Sequence, residues 1–299
     1  MAITPPTPLP GSRTDGRAQA TFRWEGRTLA YEEAGSGDEV VVLLHGLLLD
    51  SRSNRGTARR LATGGRRVVS LDLLGHGRSD HPTHASEYRM DVYAEQVVGL
   101  LDHLRVPSAV LIGTSLGANV SLFVAVHAPE RVQGLVLEMP VLEWAVPSAA
   151  MAFAPLLLAV HYAAPVVRAA GAVARRVPSG VDLLDASLGL LVTEPDVTAS
   201  VLHGILVGPV APTMDERRAI TAPALVIGHR ADLIHPFSDA EKLTETLPDA
   251  RLVRAWTPFE LRIRPRRLIG EMSRFVDDVW ARPTTEVDVR KAAGRTAQR

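Results

Sequence analysis

The 299-residue chain contains no cysteine. This absence excludes disulfide bonds, catalytic thiolates and zinc sites built on thiolate ligands. It also fits a reducing compartment, so we expect a cytoplasmic protein. The first ten residues lack both the basic and the apolar segment of a secretory signal peptide, and none is predicted.

Net charge is lacking as well, because 33 Lys and Arg residues balance 33 Asp and Glu residues. The balance gives no electrostatic reason to expect nucleic acid as a partner. Hydrophobic residues make up 46% of the chain, which is enough to bury a large core. We expect disorder only at 1–18, rich in Pro, Thr and Gly, and at 283–299, which is polar and charged.

Strand-like and helix-like segments alternate between these ends. A hairpin is predicted at 21–33, around Glu25 and Gly26. Amphipathic or small-residue helices are predicted at 55–62, 87–104, 116–126 and 265–280. Residues 40–44 form a continuous apolar run, typical of a strand buried on both faces, and further strands are predicted at 66–71, 108–112, 134–138, 224–228 and 250–255. The pattern predicts an α/β fold with a mostly parallel open sheet of about eight strands and helices on both faces. Ligands bind at the carboxyl ends of such strands.

The most informative stretch is Gly113-Thr114-Ser115-Leu116-Gly117, which joins a predicted strand to a predicted helix. The pattern Gly-x-Ser-x-Gly is typical of a nucleophile elbow, a strained turn that presents the serine hydroxyl above the sheet. Glycine is needed on either side because a Cβ would collide with the neighbouring strand or helix. The N-terminus of the helix would also stabilise an oxyanion formed beside Ser115.

Three further motifs follow predicted strands in a consistent order: His45-Gly46, the segment Asp72-x-x-Gly75-His76-Gly77-Arg78-Ser79, and Asp232. Together with the elbow, they make residues 20–280 resemble the α/β-hydrolase superfamily, in particular its capped members with a serine nucleophile. The resemblance implies a core at 19–140 and 216–282 and a helical cap at 141–215. It implies Ser115 as nucleophile, Asp232 as acid and the backbone N–H groups of Leu47 and Leu116 as oxyanion hole, with no cofactor and no metal. His45 and His76 would hold loops beside the site.

The cap region is apolar between Trp144 and Val167, and Pro155 and Pro165 are expected to interrupt it. These interruptions argue against stable insertion into a membrane, although a weak association with a membrane surface is compatible with the composition. The functional interpretation is a lid over a pocket for a hydrophobic small molecule. The plainer one is a set of helices that pack on the core. A homodimer is also compatible with the sequence.

One element of the resemblance is missing. The family's catalytic histidine should lie in the loop before the last helix, but residues 256–264 contain none, and His235 is the last histidine of the chain. Loss of the base costs on the order of a millionfold in turnover in a well-studied serine protease. Either another group is the base, or the protein is not an ordinary serine hydrolase.

His235, Glu260 and the cap histidines are candidates for the missing base, and Glu138 is a further carboxylate near the site. His235 lies three residues after Asp232 and would be the base, although it could instead cap the next helix. Glu260 lies where the histidine belongs, but could equally pair with a nearby arginine. Glu138 ends the sixth strand and could serve as an alternative acid. The cap histidines His161 and His203 would reach the site only after a particular closure of the lid.

Two functions remain open on this evidence. The first is a cofactor-independent hydrolase of an ester, thioester or related acyl bond, acting through a Ser115 acyl-enzyme with a non-standard base. The second is a protein of the same fold that has lost hydrolytic activity and acts as a ligand-binding protein or as a lyase, isomerase or cyclase.

Overall fold

A computed structural model of the chain describes residues 17–174 and 192–282. The predicted disorder at 283–299 and at 1–16 lies outside these ranges. Residues 17 and 18, at the end of the predicted N-terminal segment, belong to the first strand, which begins at Arg17. Its pairing with the second strand, which starts with Arg17 opposite Ala34, extends the hairpin to that point.

Eight strands form one sheet in the order β1-β2-β4-β3-β5-β6-β7-β8. The first two strands run antiparallel to their neighbours and the other six run parallel, which confirms the predicted fold class. The strands are β1 (Arg17–Trp24), β2 (Arg27–Ala34), β3 (Val40–Leu44), β4 (Arg67–Asp72), β5 (Ala109–Thr114), β6 (Val132–Glu138), β7 (Ala224–His229) and β8 (Ala250–Ala255).

Helices cover both faces of this sheet and leave two apolar layers, one on each side. In the described ranges the helices are α1 (Arg55–Ala62), α2 (Met90–Leu104), α3 (Leu116–His127), α4 (Ala145–Tyr162), α5 (Ala164–Ala174), α6 (Pro195–Val207), α7 (Met214–Arg218), α8 (Phe237–Thr246), α9 (Glu260–Ile263) and α10 (Arg266–Ala281). The central strands are buried on both faces, which explains their unbroken apolar sequences.

One predicted helix boundary and one predicted loop differ from the structure. Helix α2 begins at Met90 rather than at residue 87, because Arg89 is extended and a short 3₁₀ turn, Ala85–Tyr88, precedes it. The loop at 256–264 is not irregular throughout, since α9 lies within it. Its apolar residue Leu261 is buried and packs with the core, a tertiary contact that so short a segment does not reveal by periodicity.

The cap is joined to the core by hydrogen bonds at both of its connections. The Asn119 amide in α3 donates to the carbonyl oxygens of Val141, just after β6, and Val210, beyond α6, at 2.7 Å each. Asp239 in α8 accepts from the backbone N–H groups of Leu142 (2.8 Å), Trp144 (3.3 Å) and Ala145 (2.9 Å). Both anchoring side chains are fully buried.

Helix α4 differs from the prediction, because Pro155 lies inside one continuous helix instead of ending it. Among the described residues, α4 alone is long and apolar enough to cross a membrane by length and composition, with a mean hydropathy of 1.5. Only 11% of it is buried, and Met151 and Tyr162 are each 79% exposed.

Candidate active site

The turn that carries Ser115 has the strained geometry that the sequence predicts. Ser115 has a φ of +53° and a ψ of −111°, between the end of β5 and the start of α3. A Cβ on Gly113 would lie 2.2 Å from the backbone of Gly117, and one on Gly117 would lie 2.4 Å from the carbonyl oxygen of Leu44. Glycine is therefore required at both positions, because strand and helix could not approach this closely otherwise.

His235 lies within hydrogen-bond distance of the serine. Its Nε2 is 2.9 Å from Ser115 Oγ, and its Nδ1 is 2.9 Å from Asp232 Oδ2. The three side chains form a continuous chain of two hydrogen bonds. This is the arrangement by which a histidine can take a proton from a serine while a carboxylate fixes its tautomer.

The loop between β7 and α8 presents His235 in this position. Asp232 Oδ1 accepts hydrogen bonds from the backbone N–H groups of Ile234 (2.8 Å) and His235 (3.0 Å), which folds the loop back on the carboxylate. Pro236 then begins α8 without a side-chain cap. The alternative that His235 caps this helix was therefore wrong, since both ring nitrogens face Asp232 and Ser115.

The acid of this group is held in its charged form. Burial raises the pKa of Asp232, but the hydrogen bonds from His235 and from the loop backbone outweigh it and lower the pKa below its usual range. The side chains of Asp232 and His235 are only 6% and 13% exposed. The carboxylate therefore stays ionised at neutral pH, in a position where it can stabilise a positive charge on the imidazole.

The serine opens into a cavity of about 300 Å³ between the sheet and the cap. Leu47 and Leu116, whose N–H groups are the predicted oxyanion donors, both line this cavity beside Ser115. Leu116 is also the first residue of α3, where backbone N–H groups have no partner within the helix. The rest of the wall comes from core and cap, mainly Met90, Val146, Phe153, Leu157, Leu202, Ile205 and Val210.

The two alternative carboxylates are bound elsewhere. Glu260 accepts from the Trp256 backbone N–H at 2.8 Å and pairs with Arg267 at 2.6 Å, so its position contradicts a role as base. Glu138 is fully buried and pairs with Arg262 at 2.7 Å, rather than with His235. The structure thus gives no support to Glu138 as an alternative acid for this histidine.

The remaining histidines have contacts of their own. His45 Nε2 accepts from the backbone N–H of Leu73 at 3.1 Å, and His76 Nδ1 bonds to the carbonyl oxygen of Leu74 at 3.0 Å. The first contact joins the loop after β3 to the loop after β4, and the second lies within the loop after β4. In the cap, His161 stacks edge-on against Tyr162, and His203 is exposed.

Sequence reasoning missed Arg262 and Asn119 as components of the site. Arg262 is one of several arginines that follow Glu260 in the sequence, yet its side chain is 15% exposed and reaches the end of β6. Asn119, four residues after the nucleophile, lines the cavity and binds both cap connections. A polar amide inside a mainly apolar helix was the signal that could have identified it.

Comparison with known proteins agrees with this architecture. A sequence profile described as alpha/beta hydrolase fold matches residues 39–158. The 2-hydroxymuconate semialdehyde hydrolase of Pseudomonas sp. (strain CF600) is 44% identical over 72 residues, 24% of this chain and 25% of that protein. The 2-hydroxy-6-oxononadienedioate/2-hydroxy-6-oxononatrienedioate hydrolase of Paraburkholderia xenovorans (strain LB400) is 37% identical over 112 residues, 36% of this chain and 38% of that protein.

These alignments span only about a quarter to two fifths of the relatives' lengths. Structural similarity extends further. The enol-lactonase from Burkholderia xenovorans LB400 superimposes with a TM-score of 0.71 at 20% identity and covers 86% of this chain and all of that one. Sequence profile, strand order and overall superposition agree that the chain has the α/β-hydrolase fold.

Proposed function

We propose that the protein is a cofactor-independent serine hydrolase that cleaves an ester, thioester or related acyl bond in a hydrophobic small molecule. The observation that carries the proposal is the hydrogen-bonded chain from Ser115 Oγ through His235 to Asp232, with both distances at 2.9 Å. A serine hydroxyl in contact with an oriented base is the requirement for nucleophilic catalysis.

The reaction follows from these contacts. Ser115 Oγ attacks the acyl carbonyl carbon while His235 Nε2 takes the hydroxyl proton, and Asp232 stabilises the imidazolium that results. The N–H groups of Leu47 and Leu116 bind the oxyanion. His235 then gives its proton to the leaving alcohol or thiol, which leaves an acyl-Ser115 ester. Water, deprotonated by His235, attacks this ester and releases the acid and the free serine.

The cavity supports an uncharged acyl group. No Lys, Arg, Asp or Glu occurs among the described residues that line it, and Asn119 bonds to backbone groups of the cap connections. Burial of an unpaired charged group here would carry a large desolvation cost. Long or bulky neutral acyl chains, by contrast, gain from contact with Phe153, Leu157 and Ile205.

The alternative function, a ligand-binding protein or a non-hydrolytic enzyme, depended on the lack of a base. The contact between His235 and Ser115 removes the reason for preferring it. Fold similarity does not decide between the two, because the same fold carries many chemistries.

A fluorophosphonate probe tests the proposal directly. We expect it to label the wild type at Ser115, and we expect p-nitrophenyl esters to be hydrolysed faster with longer acyl chains than with acetate. Ser115→Ala should abolish both signals, and His235→Ala should reduce turnover by up to about a millionfold. His203→Ala, which alters an exposed histidine of the cap, is the matched control and should have no effect.

Two results would contradict parts of this proposal. If the wild type is not labelled, the acyl-enzyme mechanism is wrong. A hydrolysis rate that does not vary with acyl length would show that the cap side chains merely pack on the core.

A further inference from the structure

The position of the missing histidine is not vacant, because α9 lies in that loop and delivers Arg262 to the site. Glu260 fixes the short helix through its bonds to the Trp256 backbone and to Arg267. Arg262 projects from the same helix toward the carboxyl end of β6, where its Nη1 donates to Glu138 Oε1 at 2.7 Å. A surface loop is thereby joined to the strand beside the nucleophile.

Glu138 contacts the nucleophile turn through two separate groups. Its carbonyl oxygen accepts a hydrogen bond from the backbone N–H of Ser115 at 2.8 Å. Its carboxylate oxygen Oε2 accepts from the hydroxyl of Thr114 at 2.6 Å, and Thr114 is the residue before the nucleophile. The two residues are also direct partners in the pairing of β5 with β6.

The surroundings of this carboxylate are strongly polarised. Arg262 from α9, His229 Nε2 from β7 (3.2 Å) and the Thr114 hydroxyl from β5 face it, and Asp232 and His235 lie in the loop that follows β7. Burial raises the pKa of Glu138, but Arg262 foremost, then His229 and Thr114, lower it to about 2. The carboxylate is thus ionised and accepts from Thr114 over the whole working range of pH.

The turn itself needs such support. Ser115 has a φ of +53°, and Met139, directly after Glu138, has the same φ of +53°. Residues in this conformation cost on the order of 1–3 kcal/mol each and persist only where neighbouring groups hold them. Glu138 directly precedes Met139 in the chain, and its carbonyl oxygen accepts a hydrogen bond from Ser115 in the turn.

We propose that Arg262 is a positioning residue for the nucleophile, acting through Glu138 and Thr114 to hold the Ser115 turn in its reactive geometry. The proposal rests on the serine hydrolase function proposed above. In this proposal the loop after β8, which contains no histidine, supports the nucleophile turn through Arg262.

The experiment compares Arg262→Met with the wild type and with Arg264→Met, an exposed arginine two residues further along the same loop. The rate of Ser115 labelling by a fluorophosphonate is measured per folded molecule, well below the Tm of each variant. We expect R262M to be slower by on the order of a hundredfold, since small displacements of reacting groups cost about that much. R264M should match the wild type, and Arg262→Lys should lie between.

A pH series separates positioning from simple stabilisation. Without Arg262, the pKa of Glu138 rises, so the rate ratio of R262M to wild type should fall further as the pH is lowered. A purely structural role would lower the Tm of R262M but leave this ratio near one at every pH. That result would overturn the proposal.

Two further outcomes also decide the proposal. If the wild type itself is not labelled, the proposed function fails and the positioning role fails with it. If R262M does not fold, R262K decides by the same ratio: a reduced rate that worsens toward acid supports the proposal, and a wild-type rate at every pH overturns it.

Discussion

At the scale of single residues, Ser115, His235 and Asp232 contact one another, and the other candidate carboxylates have different partners. His235 can bind Ser115 because Asp232 holds the loop that carries it, through both its backbone and its ring. Glu138 and Glu260, the other carboxylates considered, each have an arginine partner instead. Asp232 is therefore the carboxylate that binds His235, whereas Glu138 and Glu260 bind arginines outside this hydrogen-bonded chain.

Asp232→Asn should isolate the role of the acid. The amide preserves the shape of the side chain but favours the wrong imidazole tautomer, so we expect turnover to fall by about ten-thousandfold, as in a comparable triad. Ester hydrolysis and fluorophosphonate labelling measure the effect. Asp215→Asn, which alters a carboxylate whose side chain is 91% exposed, is the control. Equal losses in both variants would contradict the assignment of Asp232.

Protonation of Glu138 should lower the free energy of unfolding at acid pH. Its folded pKa of about 2 lies below its ordinary value of 4.5, so the unfolded chain binds the extra proton first. The stabilisation is therefore complete above about pH 4.5 and is lost as the pH falls toward 2. Urea unfolding of wild type and Glu138→Gln across this window should give curves that converge at low pH. A gap that widens toward acid would contradict the sign.

At the scale of elements, the cap is attached to the two helices nearest the reacting groups. Asn119 belongs to α3, which follows Ser115, and Asp239 belongs to α8, which follows His235. Each carries a polar contact that would be costly to leave unpaired in the interior. The position of the cap and the position of the catalytic loops are thus set by the same two helices.

Asp239→Ala should loosen the start of the cap, because the buried N–H groups of Leu142 and Ala145 and the partly buried one of Trp144 lose their acceptor. Each unpaired group costs about 1–3 kcal/mol if it stays buried, so we expect the first turn of α4 to open instead. Faster limited proteolysis near Trp144 and a higher KM for long-chain esters would report this. Asp215→Ala, at a residue 91% exposed in its side chain, is the control and should change neither.

At the scale of the whole molecule, the apolar helix α4 is exposed on one side and lines the cavity on the other. Phe153, Ala154 and Leu157 form part of the same wall as Ser115 and His235. Moving α4 into a bilayer would remove that wall and separate it from α6 and α8. The geometry therefore favours a protein whose cap stays on the core.

The protein should accordingly behave as a peripheral or soluble molecule when it is produced in cells. We expect an alkaline carbonate wash to release any membrane-bound fraction, because α4, the described helix that is apolar enough to span a bilayer, lines the cavity above the core. Immunoblotting of pellet and supernatant measures the distribution. Retention in the pellet until detergent is added would contradict the prediction and would assign α4 to the membrane.

The sequence alone determined the features that depend on near neighbours along the chain. Buried strands and the elbow glycines follow from local sterics and spacing. The three-residue spacing of Asp232 and His235 makes their pairing possible, and the structure shows it. The order of the motifs along the chain was also accessible, because each motif follows a predicted strand. The catalytic roles of Ser115, Asp232 and His235 stay predictions.

Only the tertiary structure decided which distant groups meet. Strand spacing of about 4.8 Å places β7, two positions from β5, about 10 Å away, and β8 about 15 Å away. A histidine on the β7 loop can therefore reach Ser115, although 120 residues separate them. The longer β8 loop brings Arg262 to Glu138 across 124 residues. No local pattern encodes either contact, because each depends on the lateral order of strands and on the packing of a short helix against the core.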